Sequence, residues 1–204
     1  MDSPLDLLES LKKKFETMTG IAGPSAQSVR ASVRERVAHE TTFADDGTVP
    51  NNPKLPFIHY RSPVALPETG DPAAVFETLF EGNGWGSSWR NGIYDYVHYH
   101  SATHEVLGVA RGEAKVRFGG NRGKIFELGA GDVAVLPAGT GHQCLSASKD
   151  LLVVGAYPAG GKYDECTGSS QEHARALQSI PKVPLPDKDP VYGASGPLIQ
   201  AWKR

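Results

Sequence analysis

Cysteine is scarce in this chain. Only Cys144 and Cys166 occur among 204 residues. That is too few for a disulfide framework, and the usage fits a reducing compartment. Long apolar runs are missing too: the longest, LLVVGAY from Leu151 to Tyr157, is far too short to span a bilayer. The opening MDSPLDLLESLKKKF places acidic residues first and lysines late, so it does not read as a secretory signal. There is no excess of positive charge. The net charge of -2 gives no electrostatic case for nucleic acid or an anionic membrane surface. A cytoplasmic protein with neither partner is expected. Also absent are a Ser/His/Asp arrangement, a Gly-rich phosphate loop, paired catalytic carboxylates, an internal repeat and a basic stripe.

Turn formers are plentiful, with 23 glycines and 15 prolines. Many turns between short strands favour an all-β architecture, and the length suits one substantial core. Residues 3–18 predict a helix with Pro4 at its first position and a Leu5, Leu8, Leu11, Phe15 stripe. Residues 25–39 predict a second, with Val29, Val33 and Val37 along one side. Extended chain follows to Pro56, then a strand over 57–66 broken at Pro63. Asp71 and Pro72 predict the start of a short helix ending near Glu81. From Gly92 onward strands dominate: 92–100, 104–112, 113–118, 124–128, 132–137, 142–147 and 151–157. The tail after Pro158 reads as Pro- and Gly-rich with a helical piece near 171–179. Its end, PLIQAW at 197–202, reads as an edge strand.

One stretch stands out chemically. IYDYVHYHSATHEVLGVARG, from Ile93 to Gly112, sets three histidines and a glutamate in an apolar, strand-like context, where they are costly without partners. Alternation on a strand puts Tyr94, Tyr96, His98 and His100 on one face. On the next strand Glu105, Leu107 and Val109 share a face and His104 looks away. If those two strands pair, two imidazoles and a carboxylate converge, and His142 can supply a third imidazole. Three imidazoles and a carboxylate on rigid strands suit one divalent metal ion: Fe, Mn, Ni or Zn. Cys144, two residues after His142, shares its face. With Tyr94 and Tyr96 it is a candidate for the substrate-binding wall. Arg90 precedes the site and reads as a surface salt-bridge residue.

The joint pattern resembles a known family. Gly92, His98, His100, Glu105 and Gly112 give G-x5-H-x-H-x4-E-x6-G, and Gly131, Pro137, Gly139 and His142 give G-x5-P-x-G-x2-H. These are similar to the two signature motifs of the cupin superfamily, in order. Ser146 stands where the second motif usually ends in Asn. The wider text, including KVPLPDKDPVYGASGPLI in the tail, resembles the YjlB-like single-domain bacterial cupins. The resemblance implies a single cupin jelly-roll (double-stranded β-helix) barrel over residues 43–204, behind an α-helical extension over 1–42. It implies metal ligands at His98, His100, Glu105 and His142. His104 is then a residue behind the ligands, or replaces Glu105 if a bulge shifts the register. It also implies a small-molecule metalloenzyme of dioxygenase, isomerase or lyase type, or else a non-catalytic binding or sensing module. Cupins are often homodimers, and the N-terminal helices and 197–202 are candidate interface elements.

Overall fold

A computed structural model describes residues 23–203. The predicted helix at 3–18 lies outside the described residues. Helix α1 spans Ala26–Ser32, with Ser25 capping it by accepting from the Ser28 N–H. It is shorter than the 25–39 the valine spacing predicts. Val33 instead forms a bridge with Val64, Arg34 N–H donates to Pro63 O, and Ala65 N–H donates to Ser32 O. The β-branched residues at 33 and 37 favour extended chain, and backbone partners are waiting for it. Val29 is buried, whereas Val37 is 76% exposed.

Among the described residues nine strands follow: β1 (Ala38–Thr41), β2 (Phe57–Tyr60), β3 (Trp85–Asn91), β4 (Glu105–Arg111), β5 (Glu113–Phe118), β6 (Lys124–Gly129), β7 (Val133–Leu136), β8 (His142–Ala147) and β9 (Leu152–Pro158). They form a six-stranded sheet, ordered β1-β2-β7-β4-β9-β3, and a three-stranded sheet, ordered β6-β5-β8. Every strand pair is antiparallel. Helix α2 (Pro72–Gly82) begins where predicted, capped by Asp71. Helix α3 spans Ser170–Ser179 with a reciprocal Ser169–Glu172 capping box.

Helix α4 (Pro197–Trp202) replaces the edge strand expected there. Gly196 N-caps it and Pro197 supplies a first-turn residue that needs no amide proton. Leu198, Ile199 and Trp202 then go inward together, as a helix allows and an alternating strand does not.

Strand β4 shows how the layers are made. Leu107 and Val109 join Phe57, Val116, Phe118, Leu128, Leu136 and Val153 in an apolar cluster fed by both sheets. Val106 and Ala110 point the other way, into a cluster with Phe76, Phe80, Trp85 and Trp202. With both faces covered, β4 reads as an unbroken apolar run. The turn into β5 needs Gly112, at φ +71°, because a Cβ there would lie 2.9 Å from the Leu151 backbone.

The segment 92–100 departs from expectation. It is not a regular strand, and it does not pair with β4. The regular strand lies earlier, at β3, against β9. The later part makes only single bridges, His98 with His142 and Tyr99 with Cys166.

Candidate metal centre

The bridge between His98 and His142 is what brings two imidazoles together. His98 N–H donates to His142 O at 3.2 Å, and His142 N–H donates to His98 O at 2.9 Å. Residues that exchange both backbone bonds sit directly opposite and project to one face. Their ring centroids are 3.9 Å apart. His100, two residues on, returns to that face, and Gly139 N–H holds its carbonyl at 2.7 Å. Glu105 arrives separately, from the first position of β4 opposite Leu136. All four side chains are buried.

The tautomers follow from the backbone. Nδ1 of His98 meets Tyr96 O, Nδ1 of His100 meets Asp164 O, and Nδ1 of His142 meets Thr140 O. A carbonyl only accepts, so each Nδ1 carries a proton and Nε2 is left to face the centre. One ring nitrogen from each of the three histidines lies within 4.8 Å of the others. Glu105 Oε2 sits 3.3 Å from His100 Nε2 and 3.5 Å from His142 Nε2. Yet this buried oxygen has no hydrogen-bond partner of good geometry. Ring nitrogens of three histidines and a carboxylate oxygen therefore converge on one buried point. Such a cluster is unfavourable unless a proton or a cation joins it. The donor set fits a borderline divalent metal.

The titration behaviour agrees. Burial holds His98 below its usual pKa. Burial, and then the neighbouring imidazoles, push His142 well below. Burial opposes charging of His100 as well, but the Glu105 carboxylate and the Asp164 carbonyl outweigh it and raise it to about 9.

His104 takes the opposite side of the strand, as alternation requires. Its Nδ1 accepts from Ala138 N–H at 2.9 Å, and its ring packs against Trp202 at 4.7 Å. Burial lowers its pKa to about 4, so it is a neutral core histidine outside the cluster.

The cluster opens into a cavity of about 490 Å3 walled by Trp89, Ile93, Tyr94, Leu107, Tyr157 and Tyr163. Tyr94 is on this wall and half exposed. Tyr96 stacks on Tyr94 at 4.9 Å but is not a lining residue. Cys144 is also not on the wall: it packs against the apolar cluster between the sheets. Arg90 borders the cavity, but its guanidinium is held by Glu77 on two bonds and Asp71 on one, all at 2.7 Å.

Several residues at the site come from a tail that reads as featureless in sequence. Asp164 orients His100 through its carbonyl, while its carboxylate accepts from the Ser101 and Ala102 N–H groups and the Ser101 hydroxyl. Tyr163 lies 5.0 Å from His100, ring to ring. Glu165 accepts from the Tyr96 and Tyr163 hydroxyls at 2.9 and 2.8 Å. The only local signal is a cluster, Tyr163-Asp164-Glu165-Cys166, after a Gly-Gly turn.

Comparison with known proteins bears on this site. The cupin family model matches residues 90–180. The Bacillus subtilis (strain 168) protein YjlB, itself uncharacterised, is 42% identical over 168 residues, covering 82% of this chain and 98% of its own. Among solved structures, WlaRA, a TDP-fucose-3,4-ketoisomerase from Campylobacter jejuni, is 13% identical. It aligns over 45% of this chain and 73% of its own with a TM-score of 0.35. A Bacillus subtilis oxalate decarboxylase variant is 20% identical over 57% of this chain and 29% of its own, with a TM-score of 0.34. At those scores the likeness says nothing about substrate. The match to nearly all of YjlB, on a chain whose residues 90–180 fit the family model, shows that the protein belongs to the cupin family.

Proposed function

We propose that this protein is a metal-dependent cupin acting on a small molecule, by dioxygenase, isomerase or lyase chemistry. His98, His100, His142 and Glu105 would hold one divalent ion. When bound, such an ion supplies Lewis acidity or a platform for dioxygen. The observation that carries the reading is the buried Glu105 oxygen facing imidazole nitrogens with no hydrogen-bond partner, at the floor of a cavity of ligand size.

The chain's own residues define the rest. The carbonyls of Tyr96, Thr140 and Asp164 fix the three rings. Trp89, Leu107 and Tyr157 exclude water from one side of the centre. Tyr157 accepts from Trp89 Nε1 at 2.9 Å, and burial together with the Glu105 charge keeps its phenol protonated. Its hydroxyl is a hydrogen-bond donor on the cavity wall. We further propose a jelly-roll closure of the two sheets behind an extension over residues 1–42, a homodimer, and a cytoplasmic location.

The test is a screen of small hydroxylated acids, phenols and sugars for oxygen uptake or product formation, in native protein and in His98→Ala. Turnover lost in the variant supports the enzyme. Saturable binding without product, in both proteins, would overturn catalysis and leave a binding module.

A further inference from the structure

The cavity above the candidate metal centre has an unusual charge balance. Among the described residues its lining cations are already paired: Arg90 with Asp71 and Glu77, and His100, at the floor, with Glu105. Lys162, on the loop that carries Tyr163, lies along a different groove. Against this stand four electron-rich rings on the wall: Trp89, Tyr94, Tyr157 and Tyr163. Tyr94 and Tyr163 are 42% and 53% exposed, so their rings meet solvent at the mouth. Tyr96 is stacked behind Tyr94 with only 13° between the planes.

Glu165 completes the arrangement. Two tyrosine hydroxyls from different segments donate to its two oxygens, which holds the exposed carboxylate between Tyr96 and Tyr163, next to the lining residue Tyr163. Those bonds hold its pKa below the usual range, so it is charged at neutral pH. A carboxylate has about four acceptor positions and uses two here, so it can still serve a ligand. Aromatic faces with a fixed anion attract a weakly hydrated cation and offer nothing to a second anion.

We infer that the mouth of this cavity is a cation-accepting subsite, and that the substrate carries an ammonium or quaternary ammonium group at the end remote from His98, His100 and His142. This rests on the proposed reading of the cavity as the substrate site. The oxygen-bearing end of such a molecule reaches the ligand cluster, while the cationic end stays among Tyr94, Tyr163 and Glu165. A phosphate- or carboxylate-terminated molecule would place its second charge against Glu165 with no free cation to receive it.

The experiment is calorimetric titration of the full chain with choline and with its neutral carbon isostere, in which a tert-butyl group replaces trimethylammonium. It is run on zinc-loaded and on chelator-stripped protein. Choline binds more tightly than the isostere by about tenfold, the size of a partly desolvated cation–π interaction. Glu165→Gln and Tyr94→Leu each remove most of that preference while metal content is unchanged. Equal affinity for choline and the isostere in the native chain overturns the inference without involving any variant. A choline preference that survives in both variants also overturns it. If the native chain takes up no zinc but still prefers choline through Glu165, the metal reading fails and the cationic subsite stands. If zinc binds normally without that preference, only the subsite fails.

Discussion

At the scale of single residues, His100 carries the most testable chemistry. Against burial, the Glu105 carboxylate and the Asp164 carbonyl raise its pKa to about 9, so it favours its charged form at neutral pH. A metal must displace that proton, because ligating imidazole is neutral. Metal uptake near pH 7.5 is therefore predicted to release about one proton per ion, measured by calorimetry in buffers of different ionisation enthalpy. The sign for stability is opposite to that for metal affinity. A histidine raised from about 6.5 stabilises the metal-free fold fully below that pH, and the contribution is lost as pH rises through about 9. Metal affinity, by contrast, rises across the same interval. The spacing of His98, His100, Glu105 and His142 stands in the sequence, but the expected strand pairing did not form, and the His98–His142 bridge that joins two of the rings was not foreseen. His104 was open in sequence between a place behind the ligands and one among them; its ring packs against Trp202 while Glu105 lines the cavity. The roles of Asp164 and Glu165 were not legible. Nothing local tells a residue in a loop that its partner lies more than sixty positions away.

At the scale of elements, the loop after β9 acts as a brace for His100, one of the proposed metal ligands. Asp164→Ala removes three hydrogen bonds that hold the 101–102 turn beneath His100. Loss of such support behind a ligand typically weakens metal binding by about 10- to 100-fold. A chelator-competition titration of this variant is expected to show that loss while far-ultraviolet dichroism stays native. Gly155 in β9 makes a second case. A Cβ there would lie 2.1 Å from the Trp89 ring, so Gly155→Ala must displace a wall of the cavity. Overpacking of this kind costs about 1–3 kcal/mol, readable by urea denaturation. Strand limits from β4 to β9 were close to the alternation pattern. The pattern failed at 92–100, where alternation is real but the segment finds only single bridges on either side. It failed again at 197–202, where the apolar segment is a helix N-capped by Gly196 and not a strand.

At the scale of the whole molecule, the apolar cluster between the sheets sets stability and the site sits at its edge. Leu107 belongs to both, packing with Phe57 and Leu136 and lining the cavity. Leu107→Ala is predicted to cost about 2–5 kcal/mol, in the range for buried leucines. Acid should loosen the molecule through Asp132, which ties β2 to the β6–β7 turn by accepting from Ser62 and Gly129 N–H and pairing with His59. Burial opposes its ionisation, but these bonds lower its pKa overall. Its stabilising contribution is present above the unfolded value near 3.9 and is lost as pH falls through the folded value. Melting temperature against pH in Asp132→Asn is expected to be flatter on the acid side than in the native chain. No helix among the described residues is long and apolar enough to cross a membrane. The proposed homodimer is checked by light scattering, where a monomer mass would remove it.

The central claim is that a metal ion occupies the point where His98, His100, His142 and Glu105 meet. Elemental analysis of the untagged full chain, purified without chelator beside a His98→Ala, His142→Ala double variant, tests it most directly. About one equivalent of Fe, Mn, Ni or Zn in the native chain and none in the variant is the predicted result. No metal in either protein, even after reloading with each of the four ions, would contradict it.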